Sequence, residues 1–180
     1  VGRALSLVSV AAAAVACASC VTVPLQQRVG ETLPAPLPDG PVVFDYESLD
    51  ERSVSAPALR GKPAVIAFVV SDTLAGQAEA TILAEVAGRD PDAAAYVLVA
   101  VEPKDRRELV QGFVRFFADR TKGPLLGAMA DADTLLGLGP FGDVRGLTVV
   151  VLDAKGRVVL RKAGVVPAAD IARALAGAPR

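Results

Sequence analysis

GKPAVIAFVVSDTLAGQ, Gly61 to Gln77, is the stretch that decides the fold. Ala64 to Val70 is an unbroken apolar run rich in β-branched residues, with Gly61 and Pro63 before it and Ser71, Asp72 and Thr73 after it. That composition predicts a short strand buried on both faces. From Gly76 the period changes: Ala78, Ile82, Leu83 and Val86 recur at helical spacing, while Gln77, Thr81 and Glu85 fall on another face. A buried strand therefore feeds a helix through a turn centred on Ser71 to Ala75. In open α/β sheets, ligands and chemistry gather at such turns.

Downstream, Tyr96 to Val101 reads as a second buried strand. Asp105, with Glu108 three residues on, predicts the start of a helix. Leu109, Phe113, Phe116 and Phe117 form that helix's apolar face and read as core. Leu125 to Met129 is a short apolar segment, and Thr134 to Leu138 about one helical turn. Leu147 to Asp153 and Arg157 to Ala163 form a hairpin through Asp153-Ala154-Lys155-Gly156. Pro167 suits the first turn of a last helix, with Ile171 and Leu175 facing inward. Upstream, Val42 to Tyr46 and Ser53 to Ser55 suggest a small hairpin around Asp50 to Arg52. The predicted order is β-α-β-α-β-β-α.

Composition narrows the chemistry. The 180 residues allow one domain plus a tail, and with 52% hydrophobic residues and a net charge of −1 nothing suggests a nucleic-acid footprint. The absence of histidine removes the commonest general base and metal ligand. Asp131 and Asp133 are a close acidic pair, but two carboxylates without clustered oxygen or nitrogen donors make a poor metal site. No cofactor and no metal are expected. No nucleophile and base stand at interpretable spacing, so no catalytic residue is assigned.

Both cysteines, Cys17 and Cys20, lie in the first twenty residues. Arg3 followed by the apolar run Ala4 to Ala16 reads as a signal peptide, the run being shorter than the roughly 20 residues of a spanning helix. It ends in AVACASC, which resembles a bacterial lipoprotein processing site. Cys17 is the preferred lipidated residue, with Cys20 the alternative. Acyl chains there, at about 0.8 kcal/mol per buried CH₂, would hold the protein on a membrane. Residues 21–41 contain Pro24, Pro34, Pro36, Pro38 and Pro41 and read as an extended tether. The expected organisation is therefore a signal and processing site over 1–20, a tether over 21–41 and a folded domain over 42–180.

RGKPAVIAFVVSDTLAGQAEA resembles the first strand, active-site loop and helix of the thioredoxin-like redoxins, the exported thiol–disulfide oxidoreductases and their peroxiredoxin relatives. Their pattern is roughly R-G-K-P, a hydrophobic strand, then W-C-x-x-C-R-x-E. Leu49 to Val54 with Leu59-Arg60-Gly61-Lys62 is similar to the family's preceding block, and VRGLTVVVLDAKGRVVLRKAG to its later one. The resemblance covers about Val42 to Leu175. It implies a thioredoxin-like three-layer α/β fold, a central mixed sheet flanked by helices and preceded by a small hairpin. Aligned without gaps, Leu74 and Gln77 fall where the family carries its two cysteines, and Leu147 where it carries a cis-proline. A cysteine thiolate is the nucleophile in every redoxin reaction, and neither Leu nor Gln replaces it.

What remains is the groove between the two altered loops, where redoxins receive an extended peptide or a partner protein. Here Asp72, Thr73, Leu74, Ala75 and Gln77 would face Arg145, Gly146, Leu147 and Thr148. The expectation is a redox-inactive lipoprotein of the cell envelope, facing the periplasm, that binds an envelope protein or peptide. Packing of two loops with no ligand is the plainer alternative. By family resemblance the other function is a thiol–disulfide oxidoreductase or peroxidase, dependent on residues outside the folded domain.

Overall fold

The computed structural model describes residues 30–33, 36–121, 125–131, 138–144 and 146–179. Its axis is β4 (Ala64–Val69), all six residues of which are buried. On one side β4 pairs in parallel with β5 (Ala95–Val101), which pairs in parallel with β6 (Leu125–Ala130). On the other side it pairs antiparallel with β9 (Thr148–Leu152), which turns back into β10 (Val158–Ala163). The mixed sheet is completed by β1 (Glu31–Thr32) beside β10, and by β2 (Asp45–Ser48) and β3 (Val54–Ser55) beyond β6. A separate two-stranded ribbon joins β7 (Leu138–Gly139) to β8 (Gly142–Asp143).

Alternate residues of each central strand enter opposite layers, as a period of two requires. Val65, Ala67 and Val69 of β4, with Leu98 of β5 and Val149 of β9, pack beneath α2 (Leu74–Arg89), α3 (Arg107–Ala118) and α4 (Ala168–Gly177). Ile66, Phe68, Val97, Val99 and Val150 face the other way. Among the described residues, that face is covered by Val42 and Phe44, by the four-residue helix α1 (Ala56–Leu59), and by Phe141 and Val144. The Phe141 ring lies 5.2 Å from that of Phe44 and 5.5 Å from that of Phe68, centroid to centroid.

Both hairpins form around the expected turns, the first with its leading strand at Asp45–Ser48 where Val42 to Tyr46 was expected. Asp50 shapes the first, its carboxylate accepting from the Arg52 backbone and guanidinium. Asp153 shapes the second, accepting from the backbone N–H of Lys155 and Arg157 and from Arg157 Nε at 2.7 Å.

Two expectations are corrected. The packed chain begins before Val42: Glu31 and Thr32 pair with Ala163 and Lys162, Pro41 bridges to Arg157, and the Pro36 carbonyl accepts from Arg161. A Pro-rich segment makes few hydrogen bonds of its own, but its carbonyls still serve a neighbouring strand. The tether expected over 21–41 therefore shortens, and residues 1–29, with Cys17 and Cys20, lie outside the described residues. The second correction concerns α3. Lys104–Arg106 form a 3₁₀ turn and Arg106, without a side-chain cap, precedes the helix, so Asp105 does not cap it. The buried face is Val110, Val114 and Phe117, with Phe113 at its margin, while Leu109 and Phe116 are 51% and 49% exposed. Glycine at position 127 leaves room for this face, since a Cβ there would lie 2.4 Å from Val114 Cγ1.

Candidate functional site

The loops that follow β4 and precede β9 meet at one edge of the sheet, because Phe68 pairs with Thr148. The chain leaving β5 joins them, with Val69 registered against Ala100. Three segments therefore converge: Val70 to Gln77, Glu102 to Arg106, and Gly146 to Thr148.

The first turn of α2 is built on the Val70 carbonyl. Thr73 is the N-cap: its Oγ1 accepts from the Gly76 N–H at 3.0 Å and donates to Val70 O at 2.9 Å. A Cβ on Gly76 would come within 2.2 Å of Val70 O and 2.9 Å of Thr73 Oγ1. Thr73 and Gly76 thus lie close together across this turn. Leu74 and Gln77, the positions reached by the ungapped alignment, are both exposed, Leu74 at 79%. Placed one residue earlier, the family pattern C-x-x-C-R-x-E covers Thr73, Gly76, Gln77 and Glu79, and its glutamate falls on a glutamate.

Sequence reasoning missed two buried carboxylates. Glu102, just after β5, accepts from the Ser71 N–H at 2.8 Å, from Ser71 Oγ at 2.7 Å and from Arg106 at 2.8 Å. Arg106 also reaches Asp72 at 3.0 Å, which ties the loop after β4 to the one after β5 and raises the guanidinium pKa further. Glu79 is 0% exposed on the inner face of α2. Its Oε2 accepts from the Val166 N–H at 2.7 Å, and its Oε1 is buried without a hydrogen-bond partner. Burial raises its pKa from 4.5 to about 7, against which the single backbone N–H works only partly.

Of the groove residues expected from sequence, Asp72, Thr73, Leu74, Gln77 and Gly146 are exposed, and Ala75 and Leu147 are half-buried. Thr148 is fully buried, because it already belongs to β9 and pairs with Phe68 and Ala163. It does not line a surface. Arg145 and Asp133 lie outside the described residues. The described peptide bonds are all trans, including the one before Leu147. Among the described residues no three histidine, cysteine or acidic side chains cluster as metal ligands.

This architecture, with its strand-to-helix turn at the sheet edge, defines the thioredoxin-like fold. Among solved structures, a DsbF homologue from Corynebacterium diphtheriae is similar at a TM-score of 0.62 and 22% identity, over 76% of this chain and 85% of that one. The exposed lipoprotein thioredoxin of Streptococcus pneumoniae is similar at 0.60 and 18% identity, over 74% and 98%. An SCO1/SenC family lipoprotein from Bacillus anthracis is similar at 0.60 and 16% identity, over 78% and 95%. No protein-family model and no curated protein matches the chain. At these identities the likeness establishes the fold.

Proposed function

We propose that this protein is a thioredoxin-like binding module of the cell envelope, using the groove of a disulfide oxidoreductase fold without its thiol chemistry. The observation that carries the reading is Leu74: a leucine 79% exposed at the tip of α2, at the edge where the three loops meet. An apolar side chain so placed, beside the Asp72–Arg106 pair, suits a partner that covers leucine and answers a charged rim. The groove comprises Asp72, Thr73, Leu74, Ala75 and Gln77 with Gly146 and Leu147. Its ligand is an extended segment of an envelope protein or peptide.

The absence of cysteine after Cys20 supports redox inactivity. The AVACASC sequence, and the lipoproteins among the similar structures, support export and lipid anchoring at Cys17 or Cys20 with the domain facing the periplasm. The full chain, purified from membranes, should reduce insulin disulfides and consume peroxide no faster than buffer, and its intact mass should carry acyl chains. Turnover above buffer would return the protein to the oxidoreductases, with Cys17 and Cys20 as the working thiols; an unacylated N-terminus would remove the anchor.

A further inference from the structure

Glu79 joins the two walls of the groove from below. It lies three residues after Gly76, in the helix that carries the Thr73–Gln77 wall. Its carboxylate holds the N–H of Val166, in the segment that leads from β10 to α4. Two residues earlier in that segment, the Gly164 N–H donates to the Leu147 carbonyl at 3.0 Å, and Leu147 belongs to the opposite wall. Gly164 takes φ 82, a left-handed conformation that returns the chain toward α2 and suits glycine. Two hydrogen bonds thus connect a buried carboxylate to the far side of the groove.

No other charge satisfies this carboxylate among the described residues. β4, β5 and β9 carry no charged side chain, and the Tyr96 hydroxyl of β5 donates to the Asp90 carbonyl at the other end of α2. Asp170 and Arg173 of α4 are paired with each other, and Asp170 also with Lys162 of β10. Glu85 and Arg89 pair on the outer surface of α2. Among the ionisable residues of α3, Arg107 bonds Glu47, and Glu108 and Arg115 are exposed. Glu102 has Ser71 and Arg106. Arg161 of β10 donates to the carbonyls of Phe141 and Pro36.

We propose that Glu79 is a proton-operated latch on the groove: protonated, it keeps the Gly164–Pro167 segment, and through it Leu147, closed against α2; ionised, it releases them. An ionised carboxylate with one N–H donor and one bare oxygen gains by admitting water, and the contact that opening gives up is the single hydrogen bond to Val166. With the carboxyl raised from 4.5 to about 7, each rise in pH across that window favours the released form. The regulatory purpose rests on the docking reading above; the latch itself does not.

Amide hydrogen exchange on the full chain in detergent micelles tests it, together with a ¹³C titration of the Glu79 carboxyl. With intrinsic exchange corrected, protection at Val166 and Gly164 should fall roughly tenfold per pH unit between about 4.5 and 7, then level off. Val97 and Val99 in β5 should keep their protection, and Glu79→Gln should flatten the pH dependence at the first two amides. Protection independent of pH, an identical profile in the variant, or a parallel loss in β5 would overturn the latch. Should the variant not fold, the unsubstituted protein decides: exchange at Val166 and Gly164 that follows the titration of the Glu79 carboxyl supports the latch, and exchange that does not follow it refutes it. The docking reading fails separately, if position 74 touches no partner in cells while the exchange profile holds.

Discussion

Glu79→Gln should make the protein about 3 kcal/mol more stable at pH 8 and leave it nearly unchanged at pH 5. A carboxyl raised from 4.5 to about 7 by folding binds its proton more tightly in the native state than in the unfolded chain. Its contribution is therefore fully present below about pH 4.5 and is lost as pH rises through about 7, at 1.36 kcal/mol per pH unit. The loss over that window comes to about 3 kcal/mol. Glutamine keeps the shape and an oxygen for the Val166 N–H but has no charge to bury, so it escapes the loss. Its amide nitrogen lacks an acceptor, as the acid's O–H does at Oε1, which is why the two should agree at pH 5. Urea unfolding at both pH values measures the difference. Equal destabilisation at pH 5 and pH 8 would mean that Glu79 is not buried as described.

Gly76→Ala should cost about 3 kcal/mol or more, large for the addition of one methyl group. The added Cβ would stand 2.2 Å from Val70 O and 3.1 Å from Val70 C, atoms of the backbone leaving the central strand. No flexible side chain is there to swing aside. Relief requires lifting the first turn of α2, which breaks the Thr73 cap as well. Gly88→Ala is the internal control: it lies exposed in the same helix with nothing within 4 Å of its Cβ, and should stabilise by up to about 1 kcal/mol. A Gly76→Ala protein within 1 kcal/mol of the parent would contradict the close approach. Cysteine at position 76 meets the same carbonyl, so restoring a C-x-x-C pair at Thr73 and Gly76 would also require moving the helix.

The central strands were legible because β4 and β5 are unbroken runs of apolar residues, and burial on both faces needs no further information. The β9–β10 hairpin was legible from the turn chemistry of Asp153 and Gly156. The site was legible only in outline. Glu79 sits between two alanines in an amphipathic helix, where a carboxylate reads as a solvated face. Its hydrogen-bond partner is a backbone N–H 87 residues away, which no local periodicity contains. Glu102 follows a strand and reads as a loop charge until Ser71 and Arg106 close on it. On α3 two overlapping apolar stripes were available, and the structure buries Val110-Val114-Phe117, with Val114 close against Gly127, in place of the one containing Leu109 and Phe116. The spacing of Thr73 and Gly76 was in plain view, but without cysteines nothing marked it as a close pair.

Photo-cross-linking in living cells tests the central claim most directly. A photoreactive residue is placed at Leu74 in the full chain, and a matched one at Val43, which is 74% exposed and serves as the control. Adducts to an envelope protein or peptide should form from position 74, survive thiol-blocking reagents and exceed those from position 43. Equal labelling from both positions, or none from position 74, would contradict a docking groove at this edge of the sheet.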